Sequence, residues 1–133
     1  VPRILALNPP FRGLTGAVNV LDRVGTKQVN SVDDVKVVQK LLQLCSKGSE
    51  FASEIGLPAI TGRFDAATGF WIYRFQDLDH KKMPSNIIDG SISPAHAGSY
   101  GGGTWTIISM NLFAKEKDPQ GHADFIARGG SVF

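Results

Sequence analysis

Apolar residues recur at helical spacing in three separated stretches of the chain, each with turn residues in front of it. After Asn30-Ser31, the residues Val35, Val38, Leu41, Leu42 and Cys45 return every three or four positions, while Lys36, Gln39, Lys40 and Gln43 mostly take the other face. Asn30 or Ser31 can cap this helix, Asp33 and Asp34 put negative charge at its positive end, and Gly48 suits its C-terminal cap. The second stretch is Thr61 to Gln76, TGRFDAATGFWIYRFQ. Gly62 allows a positive φ, Phe64 anchors, Asp65 can cap, and Phe70 or Trp71, Ile72 and Phe75 share a helix side. In the third, Thr104 can cap a helix whose stripe is Trp105, Ile108 and Leu112, with Ile107 and Met110 beside it. That helix should stop between Lys115 and Asp118, ahead of Pro119.

The intervening segments read as connectors. Phe51 to Ile60 contains two breakers and should turn Leu57 and Ile60 inward. Asp77 to Ser85 is polar and predicts a loop. Ile87 to Pro94 repeats the logic of the earlier turn, with apolar residues, a glycine and an apolar anchor, and Ala95 to Gly103 is a glycine-rich insertion. Residues 1–30 carry Asn8-Pro9-Pro10, which forces extended or turn backbone, and a partly alternating Ala17 to Val24 that could be a short strand. An ordered arm covering apolar helix surface is the favoured reading there, with a partner-binding arm as the alternative. In the tail, Ala123 to Ala127 can make another helical turn, and Phe125, Ile126 and Phe133 can tuck against the body. The expectation is a mostly α domain. Three main helices (about 31–47, 65–77 and 104–116) would pack around Val38, Leu41, Leu42, Phe64, Ile72, Phe75, Trp105, Ile108 and Leu112. This divides the chain into an N-terminal arm (1–30), a three-helix body (31–118) and a C-terminal tail (119–133).

Composition narrows the function classes. With 133 residues, 42% hydrophobic and 20% charged, the chain has the size and balance of one globular domain. A net charge of +2 without a basic cluster interleaved with aromatics argues against nucleic acid, and the apolar runs are too short to span a membrane. The single cysteine, Cys45, excludes an internal disulfide. The opening VPRILALNPPF lacks the pattern of a secretory signal, so the expectation is cytoplasmic synthesis with action at the cell envelope left open.

Three motifs in order carry a family resemblance: Asp34-Val35 with Val38-Gln39 and Leu41-Leu42; Gly62-Arg63-Phe64-Asp65-Ala66-Ala67-Thr68 ending in Phe75-Gln76; and Asp89-Gly90-Ser91-Ile92 with Thr104-Trp105. Together they resemble peptidoglycan-binding-like domains, over about residues 24–115. Arg23-Val24-Gly25 through Asn30 looks like the variant found in bacterial toxin-delivery and phage cell-wall proteins. The resemblance implies a three-helix fold and non-catalytic recognition of cell-wall peptidoglycan, with a secreted effector or phage protein as a possible partner. Thr61 and Asp65 depart from the family's aspartate and glycine, Trp71 replaces a small residue, and the AHAGSYGGG insertion borders the implied ligand region. An adaptor that kept the fold and lost the glycan is therefore the alternative.

Candidate ligand-binding residues are Arg63, Asp65, Tyr73, Asp89, Ser91 and Tyr100, along a groove bordered by the two glycine turns and the glycine-rich loop. Tyr73, Tyr100 and Trp71 suit sugar stacking, and Arg63 suits a carboxylate. No catalytic residue, cofactor or metal is expected. Asp65 and Asp89 read as cap and turn residues, Asp77 and Asp79 as solvated loop charges, and His80, His96 and His122 lie on separate loops without ligand spacing. Cys45 falls on an apolar face, where it behaves as a small hydrophobe.

Overall fold

The computed structural model describes residues 3–47 and 56–132. Gly48 as a helix cap, the Phe51 end of the connector and the tucking of Phe133 lie outside the described residues. The elements run β1 (Ile4–Phe11), β2 (Leu14–Val18), β3 (Val24–Gly25), α1 (Val32–Cys45), α2 (Ala66–Lys82), β4 (Ser91–Ile92), β5 (Ser99–Tyr100), β6 (Gly103–Thr104), α3 (Thr106–Lys117) and α4 (Pro119–Ala127).

This is a mixed α/β architecture, which corrects the mostly α, three-helix expectation. Four helices hold 43% of the described residues, and three small antiparallel sheets hold 17%. β1 pairs with β2 as a hairpin, β3 pairs with β4 across the chain, and β5 pairs with β6 inside the glycine-rich insertion. Arg12 (φ 51) and Gly13 (φ 81) make the first hairpin's two-residue turn, which needs left-handed backbone at both positions. The hairpin gives only a weak strand signal in the sequence because its pairing is irregular between Ala6 and Phe11.

Residues 4–25 contribute to the core itself. Leu7, Leu14, Ala17, Val18, Val20 and Val24 are buried with Val35, Val38, Leu41 and Leu42 of α1, Ile72 of α2, Ile107, Ile108 and Met110 of α3, and Phe125 of α4. Of the anticipated core, Phe64, Trp105 and Leu112 pack only partly buried at its edge. Asn111 of α3 clamps the hairpin to the helices. Its Oδ1 accepts from Val18 N (2.9 Å), and its Nδ2 donates to Val18 O (2.9 Å) and Ile107 O (2.8 Å). Asp34, fully buried at the start of α1, accepts from Leu21 N, Asp22 N and Ser31 Oγ and pairs with Arg3. Burial pushes this carboxyl's pKa up, but Ser31, the Leu21 N–H, Arg3 and the Asp22 N–H outweigh it and hold the group below its ordinary value.

The helix boundaries differ from the periodicity in instructive places. α2 continues through Asp77–Lys82, expected as loop, because Asp79 turns inward (3% exposed) and Asn86 Nδ2 donates to it (3.0 Å). Asp77 meets Lys81 one turn on (3.2 Å), so the polar run is the outer face of a helix and not a solvated connector. Thr104 does not cap α3. It lies in β6, and its N–H donates to Asn86 Oδ1 (2.8 Å). α3 stops at Lys117, ahead of Pro119 as expected, but the helical turn expected over Ala123–Ala127 begins earlier: Pro119 opens α4 at its first position, where a missing N–H costs nothing, with Asp118 accepting from Gly121 N (3.0 Å). Asn30 is left-handed (φ 53) and bonds back to Gly25, so Ser31 alone occupies the N-cap position of α1.

Candidate functional site

Two buried glutamines build the local frame. Gln39, expected on the polar face of α1, is fully buried. Its Oε1 accepts from Thr61 N (2.9 Å) and Gly62 N (3.0 Å), and its Nε2 donates to Arg63 O (3.1 Å) and Thr68 Oγ1 (3.0 Å). Gln76 of α2 does the same one unit later. Oε1 accepts from Asp89 N (3.2 Å) and Gly90 N (2.8 Å), and Nε2 donates to Ser91 O (3.0 Å) and Thr106 Oγ1 (3.3 Å). Each carboxamide therefore holds a glycine turn and ties it to a threonine of the following helix, so the turn-and-helix unit occurs twice. Gly62 and Gly90 sit at φ 78 and 75, and a Cβ on Gly90 would stand 2.5 Å from Tyr73 Cζ.

The second unit opens into a groove of about 240 Å³ lined by Ile87, Asp89, Ser91, Ser93, Tyr100, Trp105 and Thr106. Asp89 Oδ1 accepts from Gln76 Nε2 (3.1 Å) and Ser91 N (3.0 Å), which shapes the turn and leaves Oδ2 without a protein hydrogen bond among the described residues. β5–β6 carries Tyr100 onto Trp105, with ring centroids 4.8 Å apart, and His96 meets the same indole edge-on at 5.5 Å. Trp105 Nε1 is buried without a hydrogen-bond partner among the described residues.

Of the six residues singled out from sequence, Asp89, Ser91 and Tyr100 come together in this groove. Tyr73 lies beside it, half-exposed against the Gly90 backbone. Arg63 and Asp65 do not line it. They belong to the first turn, where Asp65 caps α2 by accepting from Thr68 Oγ1 (2.6 Å) and Thr68 N (2.8 Å). The Thr68 hydroxyl and N–H hold the Asp65 carboxyl below its ordinary pKa. Trp71, considered for sugar stacking, is instead 4% exposed, and its Nε1 donates to Gly56 O (2.6 Å). Ile87, Ser93, Trp105 and Thr106 were missed as groove residues. The only signal for them was their position around the insertion.

The remaining reactive side chains are otherwise engaged. Burial raises the pKa of the Asp79 carboxyl and drives the Cys45 thiol strongly upward, and Cys45 Sγ lies 3.1 Å from Met110 O. His122, expected on a loop, is buried on α4, with Nε2 2.9 Å from Asn111 Oδ1. Since that oxygen also accepts from Val18 N, Nε2 carries the imidazole proton. Among the described residues no group of three or more His, Cys, Asp or Glu could hold a metal ion, and no helix is long and apolar enough to cross a membrane.

No protein-family model, curated protein or solved structure matches the chain. The functional reading therefore rests on the motifs and the groove.

Proposed function

We propose that this chain is a non-catalytic module that recognises bacterial cell-wall peptidoglycan in the groove between the Asp89–Ser91 turn and the Tyr100 hairpin. One observation carries the reading: the Tyr100–Trp105 aromatic pair and the polar Asp89, Ser91 and Ser93 line a single groove. A sugar ring offers an apolar C–H face and a polar rim, which suits an aromatic wall beside hydrogen-bonding groups. Asp89 Oδ2, which accepts no hydrogen bond among the described residues, suits a sugar hydroxyl. A groove this small contacts one or two sugar units, so affinity for an isolated fragment is weak and rises on a polymeric wall or by fusion to an effector or phage protein. A trough lined by Arg12, Lys82, Lys115 and Lys117 on another part of the surface supports the adaptor as the alternative reading.

Sedimentation with insoluble peptidoglycan sacculi tests the proposal. Wild type is expected in the pellet, Tyr100→Ala in the supernatant, and Arg63→Ala, outside the groove, in the pellet with wild type. Wild type remaining soluble at high sacculus excess would overturn the glycan reading.

A further inference from the structure

We propose that the C-terminal halves of α2 and α3, together with the β1–β2 turn, form a docking trough for an acidic amphipathic helix of a partner protein. Two hollows meet there and share Lys82 and Phe113. One, of about 330 Å³, lies between the end of α1, α2 and α3, over Leu42, Trp71, Phe75 and Leu78. The other, of about 490 Å³, lies beside Leu112 under Arg12 and Lys115. Leu78 is 40% exposed on the rim. The trough shares no lining residue with the Asp89–Tyr100 groove.

The charge around this apolar floor is one-sided. Arg12, Lys82, Lys115 and Lys117 line the two hollows, and none of them forms an ion pair among the described residues. Three are nevertheless held in position. Lys82 Nζ sits 4.6 Å over the Phe113 ring, Lys115 Nζ donates to Gly13 O (2.9 Å), and Arg12 Nη2 reaches Met83 Sδ (3.7 Å). Among the described residues the carboxylates nearby offset them only in part. Asp118 is bound to Lys47 (3.1 Å), Asp77 to Lys81, and Asp79, buried against Asn86, feels the charge of Arg12 and Lys82 without an ion pair to either, which leaves Glu116. On a chain of net charge +2, four cations without an ion pair among the described residues, three of them held in position around an apolar hollow, are a local concentration of positive charge.

The shape selects the occupant. An amphipathic helix places apolar side chains at i, i+3 or i+4 into such a hollow and sets flanking Asp or Glu against the cations. A lipid surface calls for apolar side chains that protrude, whereas Trp71 and Phe75 are buried in the floor. Single-stranded nucleic acid calls for open aromatic faces, whereas Phe113 is covered by Lys82 and meets Phe75 edge-on at 5.2 Å.

The test titrates the whole protein with a fluorescein-labelled synthetic peptide, a short helix with a Leu/Phe stripe flanked by Glu. A scrambled peptide of the same composition, anionic phospholipid vesicles and a single-stranded oligonucleotide are run alongside. Saturable anisotropy for the helical peptide alone is expected, with amide shift changes centred on Leu78, Lys82, Phe113 and Lys117. Lys82→Glu with Lys117→Glu, and separately Leu78→Asp, should each weaken it by about tenfold or more while leaving sacculus retention unchanged. Equal binding of the scrambled peptide, insensitivity to these variants, tighter binding of vesicles or oligonucleotide, or no saturable binding would overturn the proposal.

Discussion

Leaving a buried donor or acceptor unsatisfied costs about 1–3 kcal/mol, which makes Gln39 and Gln76 the residues on which both turns depend. Truncating Gln39 to alanine strips the buried Gly62 N–H of its acceptor, leaves the Thr61 N–H with Ala59 O alone, and takes a donor from the Arg63 carbonyl. Gln39→Ala should therefore destabilise the fold by about 3 kcal/mol, read as a lower urea midpoint with an unchanged slope. Gln76→Ala should cost a similar amount and, because it also releases Asp89, weaken retention on sacculi. The motif positions of both glutamines are visible in the sequence, after Val38 and after Phe75. Their burial is not, because a polar residue on a helix reads as solvent-facing until the turn that encloses it is known.

At the scale of elements, one buried side chain of α3, Asn111, hydrogen-bonds the N-terminal hairpin to the helices. Asn111 satisfies both backbone groups of Val18 and also accepts from His122. Asn111→Leu keeps the volume but removes every one of these bonds. Hydrogen exchange should then accelerate about tenfold to a hundredfold at Val18 and its neighbours in β2, with α1 amides much less affected. Equal acceleration in α1 would mean that the hairpin and helices open as one unit. The β5–β6 hairpin is a second case of an element that sequence could only name as glycine-rich. Gly101 supplies a left-handed turn (φ 45), and the pairing of Tyr100 with Gly103 carries the aromatic ring to Trp105.

At the scale of the whole molecule, three buried ionisable groups set the response to acid. Burial, helped by Lys115, lowers the His122 pKa from its ordinary 6.5, so the unfolded chain binds more protons below that value. This stability is fully present above pH 6.5 and is lost as pH falls below it. Asp34, held below its ordinary 3.8, adds a loss that begins only as pH drops past 3.8. Asp79 acts in the opposite sense. Its pKa is raised, so its contribution disfavours the fold at neutral pH and recovers as pH falls towards 3.8. The melting temperature should thus decline from pH 7 to pH 5 in the wild type. In His122→Gln, whose amide can still donate to Asn111, that decline should flatten. A variant that kept the full decline would place the acid sensitivity elsewhere.

The local units are written in the residue pattern. The period of Val35, Val38, Leu41 and Leu42 and the cap at Asp65 follow from interactions within a few residues, so α1 and the start of α2 were legible, as was the repetition of the glycine turn. Tertiary structure decided what those units become. The hairpin over residues 4–18 is held by Asn111, 93 positions from Val18, and β3 finds its partner at Ser91–Ile92. The helical continuation to Lys82 depends on Asp79 turning inward to Asn86. Three of the six site residues meet because the insertion folds back on Trp105, while Arg63 and Asp65 remain with the first turn. Local periodicity carries no information about such distant pairings, because the energy that selects them comes from burial and hydrogen bonding that exist only once the chain has closed.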